Sequence, residues 1–260
     1  MDESEQPRSF TGAALDQNGK IRVLGRHRAV VLDVLDASKT VPSFPVERWF
    51  DVADLAESRS RCPVRISWVT LFAKAYALAA LDHPELRRFV LTFPILRWYQ
   101  SRYSVISVAV SRDSATGEQL YFGRLRWPED RKLPEIQKEL DEYAENPVEQ
   151  MFRQQLTSSL VPKLFRRMGW WWRTNIRPSQ RARRLGTASL SVLAGQGCYN
   201  RLHPSPLTSS LSYGPIEDTG RMWVTLQCDH RIIDGAVAAK AINRIEFYLN
   251  GEVLSELKSL

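Results

Sequence analysis

The stretch Cys228-Asp229-His230-Arg231-Ile232-Ile233-Asp234-Gly235 constrains the chain more than any other. Before it, Met222 to Gln227 is rich in β-branched and aromatic residues with no breaker, which predicts a strand. After it, Gly235 to Asn250 carries Val237, Ala241, Ile245 and Leu249 at four-residue steps, which predicts a helix with one apolar face. A histidine is thereby held where a strand ends, with a carboxylate four residues on and a helix about to begin. Such a position suits a proton-transferring imidazole, because the strand fixes its backbone and the acid can hold the ring or a basic partner. A lone histidine is more often a structural or surface residue; the neighbours of His230 are what set it apart.

With 260 residues, 43% of them hydrophobic and 25% charged, the chain has the composition of a globular protein large enough for a sizeable core. Met1 to Arg8 is acidic and lacks an apolar run, so no secretory signal is visible. The longest nearly apolar stretch, Trp68 to Leu81, contains Lys74 and is too short to span a bilayer. Cys62, Cys198 and Cys228 have no metal-type spacing, so reduced thiols in a cytoplasmic protein and no metal site are expected; Cys228 is read as a packing residue. The net charge of +7 is concentrated: residues 150–216 hold ten basic and no acidic residues, leaving 26 basic against 29 acidic elsewhere. An anionic neighbour of that segment is expected.

Taken in order, residues 1–20 read as a loose polar arm and residues 21–260 as one domain interrupted by a basic, Trp-rich insert at 147–185. Ile21 to Asp36 reads as an entry helix, Val46 to Val52 as a strand and Ala53 to Ser60 as a short helix. Ser67 to Asp82 is the clearest helix, with Ser67 as its cap and Val69, Phe72 and Tyr76 inward. Val105 to Ser111 and Glu118 to Trp127 read as a hairpin around a turn, and Leu133 to Tyr143 as a charged helix. Gly186 to Leu193 is a β-rich run, followed by a strand from Thr208 to Ile216.

Within the insert, Arg166-Arg167-Met168-Gly169-Trp170-Trp171-Trp172-Arg173 interleaves arginine with tryptophan. Three readings stay open: a linker helix whose tryptophans cover a subunit interface or core edge, an interfacial helix on a membrane surface, and a groove for an anionic ligand such as the phosphates of coenzyme A. No recognisable motif supports nucleic acid.

The run Asp229-His230-Arg231-Ile232-Ile233-Asp234-Gly235-Ala236, followed by an amphipathic helix, resembles the signature of dihydrolipoamide acyltransferase catalytic domains of 2-oxoacid dehydrogenase complexes, within the chloramphenicol acetyltransferase-like superfamily. Lys74 to Ala79 with His83-Pro84-Glu85-Leu86 is similar to a second segment of that family, and Gly186-Thr187-Ala188-Ser189-Leu190-Ser191 to its strand ending in a catalytic serine. The chain departs from the pattern after Ser191 and at Gln119 to Arg126, where the family carries an aliphatic segment on the lipoyl-substrate side.

The resemblance implies an α/β two-layer chloramphenicol acetyltransferase-like fold, a mixed sheet with helices mainly on one face. It implies coenzyme A or acyl-coenzyme A as substrate, with His230 as general base, Ser191 as oxyanion donor and Asp234 in an orienting role. It also implies a homotrimer whose site lies between chains, and a C-terminal tail that can join trimers into a cage. No lipoylated segment or subunit-binding domain is visible, so a free-standing enzyme is expected, acting on a small acceptor or on a partner's carrier domain. The alternative is a non-catalytic trimeric scaffold or assembly protein on the same fold.

Overall fold

The structure, a computed structural model, describes residues 27–114 and 117–260, so the expected arm at 1–20 lies outside the described residues. The elements follow in the order α1 (His27–Ser38), β1 (Ser43–Asp51), α2 (Ala53–Arg61), α3 (Trp68–Asp82), β2 (Arg88–Leu91), β3 (Arg97–Gln100), β4 (Val105–Ser114), β5 (Gly117–Arg126) and α4 (Leu133–Glu145). The insert supplies α5 (Val148–Met151), α6 (Arg153–Leu160), α7 (Lys163–Asn175) and α8 (Pro178–Leu185). Then come β6 (Ala188–Leu190), β7 (Ser209–Ile216), β8 (Arg221–Asp229), α9 (Gly235–Tyr248), a π-helical turn at Leu249–Val253 and α10 (Leu254–Lys258).

Six strands form one mixed sheet in the order β1-β8-β7-β6-β4-β5, and β2 and β3 make a separate hairpin. β6 runs parallel to both β4 and β7, while the remaining pairs are antiparallel. The expected β-rich run at 186–193 thus contributes only three paired residues. The β4–β5 strands run further into their hairpin than the expected turn at Ser111–Gly117 allowed, to Ser114 and from Gly117. No helix among the described residues is long and apolar enough to cross a membrane.

Side chains alternate across a strand, and here the alternation separates two chemistries. One row on the core face reads Val46, Leu226, Leu211, Leu190 and Val108 across β1, β8, β7, β6 and β4. Against this face lie α3 and α9, with α2, α4 and α10 around them. α3 is buried from Thr70 to Ala80, more completely than an amphipathic stripe would require. Ser67 caps it as expected, accepting from the Thr70 N–H at 3.2 Å. Gln137 of α4 secures the same end, its Oε1 accepting from the Ser67 N–H at 2.8 Å and from Thr70 Oγ1 at 2.7 Å. The buried Lys74 donates to the carbonyls of Glu129 and Arg131 and pairs with Glu256 of α10 at 3.6 Å, so its charge is not left alone. Val253, Leu254 and Leu257 are buried within the same protomer, which leaves Leu260 as the exposed apolar residue at the chain's end.

At the centre Phe72 stacks between Phe50 and Tyr213, with ring centroids 6.2 and 4.3 Å away. Phe72→Ala is expected to lower unfolding free energy by about 3–5 kcal/mol, because the surrounding rings cannot collapse into the space. Urea titration checks this: the midpoint should fall with the slope unchanged, and a loss of under about 1 kcal/mol would mean that the stack does not organise the core.

Candidate active site

His230 sits directly beyond β8. Its backbone N–H donates to the Pro42 carbonyl at 3.0 Å, and its ring packs on Phe44 with centroids 4.5 Å apart. The imidazole is 55% exposed, and the Asp234 carboxylate, 84% exposed, lies 3.8 Å from Nδ1. Asp234 precedes α9 as its N-cap residue but makes no side-chain capping bond. The loop is shaped instead by Asp229 and Arg231. Asp229 is 3% exposed and accepts from Arg231 Nη2 at 2.7 Å, from Nε at 2.9 Å and from the Arg231 backbone N–H at 3.0 Å. A second guanidinium stands near this carboxylate, that of Arg181 on α8. Burial lowers the Arg181 pKa to about 10, with the Arg231 charge adding to the shift and Asp229 opposing it.

Ser191 follows β6 directly. Its N–H donates to the Leu211 carbonyl at 3.2 Å, and its Oγ accepts from Asn200 Nδ2 at 3.3 Å. Ala188, Ser209 and Cys228 share one row of the sheet; His230 lies beyond that row in one direction and Ser191 in the other. Five residue steps and two strand spacings separate them, about 20 Å between Cα atoms. Within one protomer the two residues are not brought together. Cys228 is buried and its thiol is pushed up to about 12 by burial, with Asp229 contributing, as suits a packing residue.

Ser191 opens into a cavity of about 790 Å³ on the sheet face opposite the core. Its floor is the outward face of β4, β5 and β6, and α1 and the insert helices α6, α7 and α8 wall it. Trp170 lines it, Trp171 packs on Phe93 at 5.2 Å, and Trp172 is 49% exposed. The expected Trp-rich helix therefore exists as α7, and its inner side encloses a chamber.

The loop between β6 and β7 lies along the floor and brings in a cluster that the sequence did not single out. His203 Nε2 bonds Ser210 Oγ at 2.5 Å, Ser189 Oγ donates to Ser210 Oγ at 2.7 Å, and Ser205 Oγ is 3.2 Å from Ser189 Oγ. His203 Nδ1 is buried without a partner, and burial holds this imidazole below the usual histidine value. The signal available in sequence was the alternation Ser189/Ser191 and Ser210/Ser212, which marks a polar strand face and does not by itself indicate a relay.

No family model matches the sequence, and no curated protein does. Solved structures do. A probable dihydrolipoamide acetyltransferase from Listeria monocytogenes superposes with a TM-score of 0.66 at 17% identity, over 90% of this chain and 95% of that one. The dihydrolipoamide acetyltransferase of Azotobacter vinelandii gives 0.65 at 17% identity, over 94% and 98%; its structure was studied for the catalytic role of a serine, a histidine and an asparagine four residues after the histidine. The cubic core of the pyruvate dehydrogenase multienzyme complex gives 0.64 at 17% identity, over 94% and 98%. The chain has the fold of dihydrolipoamide acetyltransferase catalytic cores.

The depressed pKa of His203 has a consequence for stability. As pH falls through the ordinary histidine value of 6.5, the unfolded chain takes up a proton that the folded chain still refuses. The stability contributed by the neutral ring is thus complete above that value and is lost as pH falls toward the folded pKa. His203→Gln should therefore show a shallower decline of unfolding free energy between about pH 7.5 and 5 than the unmodified protein. Chemical denaturation across that range measures it, and parallel declines would show that the ring titrates freely.

Proposed function

We propose that the protein is a coenzyme-A-dependent acyltransferase in which His230 of one chain and Ser191 of another form the site between copies of a homotrimer. The observation that carries this is positional. In a fold shared with acetyltransferase cores, His230 stands exposed on a backbone fixed by Pro42 and by the Asp229–Arg231 pair, with Asp234 four residues on. In the Azotobacter enzyme, a histidine and an asparagine at this spacing, with a serine, were studied for their catalytic role. Asp234 follows His230 by the same four residues.

The separation within one chain supports a site shared between chains: a ring 55% exposed at one end of the sheet and a serine at the other are each half of a constellation. The relatives include an assembled cubic core, which favours closed oligomers of this chain also.

In the proposed reaction, the neutral His230 takes the proton of the attacking thiol or hydroxyl as that atom bonds to the thioester carbonyl carbon. The carbonyl oxygen gains negative charge and accepts a hydrogen bond from Ser191, a group worth about 2.7–4 kcal/mol in comparable sites. The carbon–sulfur bond then breaks, and the coenzyme A thiolate leaves with the proton held by His230. Asp234 is the positioning residue for the ring. Acceptors on another protein's carrier domain and free small molecules both fit this scheme.

Acetyl transfer from acetyl-coenzyme A, followed by thiol release, tests the reading. His230→Ala should cost about 10²–10⁴ in rate and Ser191→Ala about 10²–10³, with sedimentation showing intact oligomers. Mixed oligomers assembled from the two inactive variants should recover about a quarter of the sites, since intact His and intact Ser then meet across some interfaces. An active His230→Ala protein, or a strictly monomeric active wild type, overturns the mechanism. An inactive trimer leaves the fold as an assembly scaffold.

A further inference from the structure

We propose that the cavity beneath the insert binds an organic anion with an apolar body, its charged head held by Arg124, Arg173 and Arg184, and that this anion is the acyl acceptor. The acceptor role rests on the acyl transfer proposed above; the anion site rests on the cavity itself.

Arg124 projects from the cavity floor, in a row with Ser107, Ser189 and Ser210 on the neighbouring strands. Arg173 reaches in from α7, lying along Gly169, where an added Cβ would stand 3.4 Å from its Nη1. Arg184 comes from α8 at the cavity wall. Among the described residues none of the three guanidinium groups forms an ion pair. Gln154, with its amide oxygen turned toward Arg184, accepts from Nη1 and Nε at 3.2 Å each, and this is a neutral partner. Arg124 Nε is buried with no partner at all. Burial holds both Arg124 and Arg173 below the usual arginine value, and the charge of Arg184 pushes each the same way.

Arg124 and Arg173 are half-buried and Arg184 is exposed; guanidinium groups partly withdrawn from water without a counterion carry a cost, and the cavity does not supply a counterion at this end. Its two carboxylates are engaged elsewhere. Asp33 of α1 pairs with Arg166 at 2.6 Å, and Glu118 lies at the hairpin end of β5, accepting from Ser111 Oγ at 2.5 Å. A carboxylate or phosphate presents the acceptor pairs that guanidinium forks match. The lining also carries apolar side chains among its polar ones, with Val30 and Val34 from α1, Leu120 and Phe122 from β5, and Trp170. Arg124 lies two strands and one pair of residues from Ser191, about 12 Å between Cα atoms. A molecule anchored by its head at Arg124 and lying over Phe122 and Ala109, the next pair along β5 and β4, reaches toward the serine. These charges lie in segments, Gln119 to Arg126 and 147–185, where the sequence parts from the acyltransferase pattern.

Lipoate and lipoamide share one apolar body and differ in a carboxylate against a carboxamide, so they isolate the charge. Calorimetric titration of the full chain at low salt should give lipoate a Kd at least about ten-fold below that of lipoamide. Arg124→Gln and Arg173→Gln should each shrink that preference, and the double variant should bring it within about two-fold. Coenzyme A affinity should stay unchanged, and thermal stability should hold or rise as repulsion is relieved. Equal binding of the two probes by the wild type, or a preference that survives the double variant, overturns the anion site. Variants that lose coenzyme A affinity but keep the lipoate preference assign the arginines to the phosphates of the thioester donor and overturn the acceptor role. Under turnover, the reduced acid should exceed the reduced amide in kcat/KM through the same arginines. An arginine-dependent lipoate preference without any acyl transfer leaves the anion site standing and removes both the acceptor role and the enzyme reading.

Discussion

Three residues, Ala188–Leu190, hold the sheet together. β6 is the only paired segment between the β4–β5 hairpin and the β7–β8–β1 half among the described residues, and it is bonded parallel on both sides. Parallel pairing is slightly weaker per residue than antiparallel pairing, so so short a strand needs help, and Gly186-Thr187 provides it. Thr187 exchanges bonds with Val105 through both backbone and hydroxyl: its N–H donates to the Val105 carbonyl at 2.7 Å, and its Oγ1 accepts from the Val105 N–H at 3.0 Å. Gly186 has φ 104°, and a Cβ there would stand 3.0 Å from the same carbonyl, so only glycine brings the chain in this close.

The register set by this clamp distributes everything else. Because side chains alternate, the same pairing that stacks Val46, Leu226, Leu211, Leu190 and Val108 against α3 also lines up Gln227, Ser210, Ser189, Ser107 and Arg124 on the opposite face. Such a face cannot be closed by packing an apolar helix flat upon it, since each hydroxyl would lose its water without gaining a partner. Serine–serine bonds and His203 satisfy the half nearer β7, while the half nearer β5 is left open as a cavity. The chamber thus follows from the polarity of its floor.

Local signals carried much of this into the sequence. The strand and helix flanking His230 and the Ser67 cap are written in short-range periodicity and capping chemistry and formed where expected, while the β4–β5 hairpin formed with a tighter turn than expected. The β2–β3 hairpin was not anticipated, because Arg88 and Arg97 at its ends and the exposed Trp98 hide the alternation that would mark strands. Nor did sequence show that the insert would wall a cavity, since that depends on α1 and α6 meeting across a chain separation of more than a hundred residues. His203 was passed over, because its bond to Ser210 arises only once the loop folds back over β7. Asp229 and Arg231 were in plain view, but only burial of the carboxylate shows that this pair, and not Asp234, shapes the loop.

A surface side chain ordinarily loses its geometry to rotamer freedom, and a single carboxylate 3.8 Å away is a weak restraint on one. Here the restraint is placed below the surface, in a carboxylate 3% exposed, bonded by Arg231 and flanked by the buried Arg181. Removing either arginine would leave that carboxylate under-compensated, so the loop conformation is costly to abandon. Arg181 also donates to the Pro206 carbonyl at 2.8 Å and lies over the Phe89 ring, which ties α8, the β7 entry and the β2–β3 hairpin to the same anchor. The histidine's backbone is thus held by elements that also bound the cavity, while its ring stays open toward whatever docks on that end of the sheet. An insert that walls the cavity beside Ser191 while bracing the loop of His230 ties the two ends of one protomer to the same packing.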